Sequence, residues 1–295
     1  MLKFSTDQFS TGIGAPPSLV AGLDRAIDDS IDVVRQELCP RASHDSHVIV
    51  FANEKGGVGK TTAAFHTCIA LCSAAETVVA IDLDHRQQSL ARALESREGT
   101  GRRLKIDFPR PRHVVLNHLT EAGLNQEINR LGRDCSFVII DVAGHDSPIA
   151  RHAIAMADTL ITPINDSFVD IAVLGHLDPT SFGLKGLGAF TRLVQDLQAR
   201  RENSCDWIVL QNRLRRLGSN NEFRFGQALE NLAPQAGFRL APGLGERVIY
   251  RELIPFGLTL FDLKLIPEFA RAQPVARAEL KAMLSEFKLP TRVPL

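Results

Sequence analysis

The chain alternates between short apolar runs and longer stretches of helical periodicity. Val48–Ala52, Val78–Ile81, Phe137–Ile140, Thr159–Thr162 and Trp207–Leu210 are apolar runs of four or five residues with no polar residue at every second position. Such runs predict strands buried on both faces. Between them, Thr61–Ala75, Gln87–Arg97 and Asn117–Leu131 place apolar residues at helical spacing, and residues 99–113, rich in Gly, Pro and Arg, predict a loop. Strands alternating with helices predict a doubly wound α/β fold, a mostly parallel sheet with helices on both faces. Val275–Leu289 predicts a C-terminal amphipathic helix whose glutamates balance its lysines, which favours packing over membrane attachment.

Residues 1–46 stand apart as an N-terminal extension to a domain spanning 47–295. A breaker-rich segment at residues 11–17 is followed by an amphipathic pattern from Ser18 to Leu38, with Leu19, Leu23, Ile27, Ile31 and Val34 on one stripe. This helix is expected to pack back on the domain or to dock a partner.

Composition narrows the function classes. With 295 residues and 44% hydrophobic content, the chain has enough apolar mass for one large α/β core. Lys+Arg and Asp+Glu both number 34, so any nucleic-acid surface has to be a local patch. The five cysteines form no Cys-x-x-Cys pair, which favours reduced thiols over a metal cluster. No apolar run has the length of a membrane span and no signal-peptide pattern opens the chain, so a cytoplasmic protein is expected.

The chemistry gathers at the carboxyl ends of the predicted strands, where open α/β sheets bind ligands. After the first strand comes Lys55-Gly56-Gly57-Val58-Gly59-Lys60-Thr61-Thr62. Glycines let the backbone wrap phosphates, the helix that follows adds its positive end, Lys60 reaches the β/γ-phosphates and Thr61 faces Mg2+. Glu54 stands where the usual phosphate loop has its first glycine. The second strand ends in Asp82-Leu83-Asp84, the third in Asp141-Val142-Ala143-Gly144, and the fifth in Gln211-Asn212.

This loop resembles the deviant Walker A motif of the ATPase family that includes ParA, MinD and the nitrogenase iron protein. The resemblance implies ATP and Mg2+ as ligands, slow ATP hydrolysis, and a homodimer in which Lys55 reaches the partner's nucleotide. A lysine given from each side offsets the repulsion of two facing triphosphates. It further implies that Asp84 positions the attacking water, that Asp82 and Asp141 organise Mg2+, that Asp141 and Gly144 form a switch, and that Asn212 meets the adenine edge. Val142-Ala143 departs from the family's Thr-Pro.

Within that family, residues 157–170, 206–214 and 243–253, together with Asp84-His85-Arg86-Gln87, look like the MipZ group of division-plane positioning ATPases. The likeness runs from about residue 47 to about 265. It implies an ATP dimer that binds nonspecific DNA on the bacterial nucleoid, recruitment by a ParB-like centromere-binding protein, and regulation of the tubulin-like FtsZ, with no membrane attachment. Arg213, Arg216 and Arg224, flanked by Arg192, Arg200, Arg201, Arg215 and Arg239, are the expected DNA contacts. Three other readings remain open: a ParA-like ATPase for a plasmid or other cargo, an ATP-dependent amidase or ligase, and a nucleotide-dependent scaffold that barely turns ATP over, which the altered Val142-Ala143 keeps in play. The iron protein is disfavoured because Cys135 and Cys205 precede their strands.

Overall fold

The computed structural model describes residues 46–178, 183–199, 204–212, 220–266, 273–293 and 295. The helix expected within residues 18–38 lies outside them, as do Arg200, Arg201, Arg213, Arg215 and Arg216.

Seven strands form one sheet: β1 (His47–Phe51), β2 (Val78–Asp82), β3 (Arg112–Val115), β4 (Phe137–Asp141), β5 (Thr159–Ile164), β8 (Asp206–Gln211) and β9 (Arg239–Pro242). Their order is β3-β2-β4-β1-β5-β8-β9, and every pairing is parallel. A separate antiparallel hairpin joins β6 (Gly175–Leu177) to β7 (Leu184–Leu187).

The helices are α1 (Lys60–Ser73), α2 (Ser89–Leu104), α3 (Glu121–Leu131), α4 (Pro148–Met156), α5 (Phe168–Leu174), α6 (Ala189–Gln198), α7 (Asn220–Ala236), α8 (Val248–Leu253) and α9 (Pro274–Glu286). They cover both faces of the sheet. Strand alternation splits the core accordingly. Val48 and Val50 of β1 and Val138 and Ile140 of β4 face one apolar layer, with α4 and α6. Ile49 and Phe51, with Phe137 and Ile139, face the other, with α1, α2 and α9.

The five expected strands are present. Two more lie at the sheet edges, where RHVV and RLAP mix polar and apolar residues because only part of an edge strand is buried. Helix α2 also runs to Leu104, through Gly99 and Gly101, although a loop was expected from residue 99. Its anchor is Arg97, fully buried, which donates to both oxygens of Asp262 (2.8 and 2.7 Å) and to the carbonyls of Pro109 (2.8 Å) and Gly257 (2.9 Å). That tertiary network holds the segment helical despite its glycines. Helix α3 starts at Glu121, later than expected, because Thr120 caps it by accepting from the Gly123 amide (3.1 Å).

Among the described residues, no helix is long and apolar enough to cross a membrane.

Candidate nucleotide site

The loops after β1, β2 and β4 meet at the carboxyl end of the sheet. Register brings the carboxylates there together. Asp82 pairs with Asp141 across β2 and β4, and Asp141 pairs with Phe51 of β1, so all three strands end at one level.

The loop after β1 is built by its own side chains. Asn53 is buried, donates to the Pro163 carbonyl (2.7 Å) and accepts from the Lys55 amide (2.9 Å), fixing the turn out of the strand. Gly57 and Gly59 have φ of 76° and 93°, a region that side chains with a Cβ rarely adopt. Gly59 then caps α1, and the helix's first amides face the loop. Lys60 is 7% exposed and its amine donates to the Lys55 carbonyl across the loop (3.0 Å). Burial lowers its pKa, while Asp141 and Asp84 oppose that shift. The result is a desolvated cation held within a glycine-rich loop at a helix N-terminus, a receptor for a polyphosphate.

The carboxylates divide their tasks. Asp82 is buried, with both oxygens occupied by backbone amides: Asp84 (2.9 Å) on one, Leu90 (3.0 Å) and Ala91 (3.2 Å) on the other. It thereby caps α2. Asp84 accepts from the Arg86 (3.2 Å) and Gln87 (3.0 Å) amides, closing the turn before that helix. Asp141 accepts from the Thr61 hydroxyl (2.6 Å) on one oxygen, and its other oxygen is buried without a hydrogen-bond partner. Burial and the neighbouring Asp82 push the Asp141 carboxyl up to about 7. A divalent cation would reverse that shift and satisfy the bare oxygen, so Thr61 and Asp141 fit Mg2+.

Gly144 packs against the phosphate loop. A Cβ there would lie 3.0 Å from Gly56 Cα, 3.1 Å from Gly56 N and 3.2 Å from Lys60 Nζ. The segment after Asp141 therefore touches the cradle directly.

The Lys55 backbone helps build the loop, but its side chain turns away from it. Its amine pairs with Asp170 of α5, a fully buried carboxylate whose other oxygen accepts from the Asn165 amide (2.9 Å). Neither Asn53 nor Asp170 was expected at the site. A buried polar side chain before a phosphate loop is the only local signal for Asn53, and Asp170 has none.

Asn212, expected to meet the adenine edge, is 3% exposed and lies beneath Gly59. Beside it a cleft is lined by Thr62, Leu244, Arg247 and Tyr250. Of the arginines flanking the expected DNA cluster, Arg239 is committed elsewhere, to Asp206 (2.8 and 2.7 Å) and to the Glu286 (2.6 Å) and Phe287 (3.2 Å) carbonyls at the end of α9. Arg224 is exposed on α7.

A parallel sheet with a glycine-rich phosphate loop between its central strand and α1 defines a P-loop NTPase. The comparisons agree. A curated relative, the chromosome-partitioning ATPase Soj of Thermus thermophilus, is 24% identical over 251 residues, covering 78% of this chain and 91% of its own length. Apo McdA of Cyanothece superposes with a TM-score of 0.59 at 19% identity, over 83% of this chain and 100% of that one. A putative plasmid partition protein of Borrelia burgdorferi B31, bound to AMPPNP, gives 0.56 at 14% identity, over 83% and 98%. Such structural likenesses establish the shared fold. Residues 47–291 match the ATPase MipZ family, and the chain belongs to it.

Proposed function

We propose that this chain is a dimerising switch ATPase that positions cell-division or chromosome-partition machinery. ATP and Mg2+ bind on the Gly56–Thr62 loop. Lys60 neutralises the β/γ-phosphates, and Thr61 and Asp141 hold the cation. Two loaded copies join face to face, each giving Lys55 to the other's triphosphate. The ATP dimer binds DNA without sequence preference through Arg213, Arg216 and Arg224, and so sits on the nucleoid in the bacterial cytoplasm. It restrains FtsZ assembly, and the monomer is recruited by a ParB-like protein. Asp84 leaves its turn to orient water, slow hydrolysis follows, and Gly144 transmits loss of the γ-phosphate. ATP must bind the dimer more tightly than the monomer for this cycle to run.

The observation that supports this reading most is the different placement of the two lysines. Lys60 is 7% exposed inside the cradle. The Lys55 side chain is 40% exposed and turned to Asp170, whose chain neighbour Val169 is an apolar side chain 69% exposed. A half-exposed cation whose ion-pair partner adjoins an exposed apolar residue suits a contact between copies.

The test is size-exclusion chromatography with light scattering, with and without a slowly hydrolysed ATP analogue. The wild-type chain should become dimeric with the analogue. Lys55→Ala should keep nucleotide binding and stay monomeric. A normal analogue-induced dimer of Lys55→Ala would remove the sandwich. A second reading, a ParA-like ATPase for a plasmid or other cargo, is favoured by the names of Soj and the Borrelia protein. Loss of any effect on FtsZ assembly by the ATP dimer would select it.

A further inference from the structure

The order of the sheet sets where a nucleoside would lie. On one side of β1 are β4 and β2, which end in Asp141 and Asp82, and on the other are β5 and β8. A triphosphate whose γ end meets Thr61 and Asp141 would carry its nucleoside toward the β8 side. There the cleft lined by Gly59, Thr62, Leu244, Gly245, Arg247 and Tyr250 lies beside the phosphate loop. Much of its wall is one segment, the loop from β9 into α8. The start of that loop is tied to β8: the Gly243 amide donates to the Gln211 carbonyl (2.9 Å) and the Leu244 amide to Asn212 Oδ1 (3.0 Å).

The C-terminal helix α9 holds the rest. Glu279, 9% exposed, accepts from Arg247 Nε on Oε2 and from Arg247 Nη2 on Oε1, both at 2.7 Å. Oε2 also accepts from the Gly245 amide at 3.4 Å. A Cβ on Gly245 would stand 3.1 and 3.2 Å from the two carboxylate oxygens, so the close approach needs glycine there. The Tyr250 hydroxyl donates to the Ala276 carbonyl (3.0 Å), three residues before Glu279. The helix is itself fixed to the sheet: Leu280, Met283 and Leu284 are buried, and the Phe287 ring meets Phe51 of β1 edge-on at 6.5 Å. A bidentate carboxylate on a packed helix therefore sets both the position and the direction of Arg247. Glu279 is not itself among the residues that line the cleft.

From this geometry we infer that Glu279 is a positioning residue for the nucleoside. By clamping Gly245 and Arg247 it holds one wall of the cleft, alongside Asn212 rather than in its place. Affinity for the nucleoside then depends on α9, whereas affinity for the phosphates does not. The inference rests on the nucleotide site proposed above. It is reciprocal: a nucleoside that orders the loop must also stabilise the first turns of α9. A pair that only pinned α9 to the domain would change stability without separating ligands that have a nucleoside from those that lack one.

The test measures the Mg2+-dependent affinity of wild type and the near-isosteric Glu279→Gln for ADP and inorganic pyrophosphate, by calorimetry. These ligands avoid both hydrolysis and ATP-driven association. Glu279→Gln should weaken ADP roughly tenfold and leave pyrophosphate within about twofold of wild type. Equal losses for the two ligands, or no loss for ADP, would overturn the inference. Where the variant fails to fold, or pyrophosphate binds too weakly to compare, amide exchange on the wild-type chain decides. Saturating ADP should slow exchange at Gly245, at Arg247 and in the first two turns of α9, and no change there would overturn the inference. A wild-type chain that binds neither ligand would refute the nucleotide site itself. Equal wild-type affinity for ADP and pyrophosphate would leave the phosphate site standing and refute the nucleoside cleft, and the role of Glu279 with it.

Discussion

Removing the carboxylate that holds Lys55 should make the ATP dimer tighter. In the single chain the Lys55 amine pairs with Asp170, whose side chain is fully buried while that of Lys55 is 40% exposed. Exposed ion pairs contribute about 0–1 kcal/mol, and breaking a fully buried one costs about 3–5 kcal/mol. A pair with one buried and one half-exposed partner falls between, at about 1–2 kcal/mol. If Lys55 must leave Asp170 to reach a partner's triphosphate, that energy opposes each half of the dimer. Asp170→Asn keeps the volume and can still accept from the Asn165 amide, which Asp170 now does at 2.9 Å. It removes only the charge.

The dimer formed with a slowly hydrolysed ATP analogue should then tighten by about 5- to 30-fold per released lysine. Sedimentation velocity across a dilution series measures this. A double-mutant cycle isolates the cause: in a Lys55→Ala background, Asp170→Asn should leave association unchanged. Equal or weaker dimerisation of Asp170→Asn in the otherwise wild-type chain would refute the reasoning. It would mean that the Lys55–Asp170 contact is retained in the dimer or that Asp170 organises the interface itself.

Gly144→Ala should weaken ATP binding by roughly tenfold or more, because its Cβ must displace Gly56 or the Lys60 amine, 3.0 and 3.2 Å away; calorimetric titration checks it, with thermal stability little changed. Arg97→Ala should cost about 3–5 kcal/mol in urea unfolding, since it strands buried Asp262 and the Gly257 carbonyl. His66 is buried, its Nδ1 bonded to the Thr62 carbonyl (2.8 Å) and its Nε2 without a partner, and burial lowers its pKa from 6.5 to about 4. Neutral in both states above pH 6.5, it takes a proton first in the unfolded chain as pH falls. Stability should therefore drop by about 1.4 kcal/mol per pH unit between 6.5 and 4 on its account, some 3 kcal/mol in all. His66→Gln should flatten that part of the curve of stability against pH.

What could be read in the sequence was local. The five central strands show as continuous apolar runs because both faces of each are covered. Strands β3 and β9 do not show, because an edge strand keeps polar residues such as Arg112 and Arg239 on its half-covered side. The phosphate loop shows because its glycines and lysines do their work within eight residues. Partners distant in the chain left no such trace. Asn53 meets Pro163 across a separation of 110 residues and Lys55 meets Asp170 across 115. Arg97 reads as a helix-end arginine until the fold brings Asp262 to it, 165 residues on.

The aspartates make the same point about chemistry. Asp82, Asp84 and Asp141 are equivalent in sequence, each at or just past a strand end. Parallel register then sets Asp82 directly beside Asp141, both buried. Two adjacent carboxylates out of water cannot both stay bare and ionised. Three backbone amides relieve Asp82 by way of α2's first turn and the Asp84 turn. Asp141 receives one hydroxyl and keeps an open oxygen. In the proposed Mg2+ chemistry, the open oxygen that would meet the cation is on Asp141. Asp82 fixes where α2 begins, and with it the turn that holds Asp84, the residue proposed above to orient water.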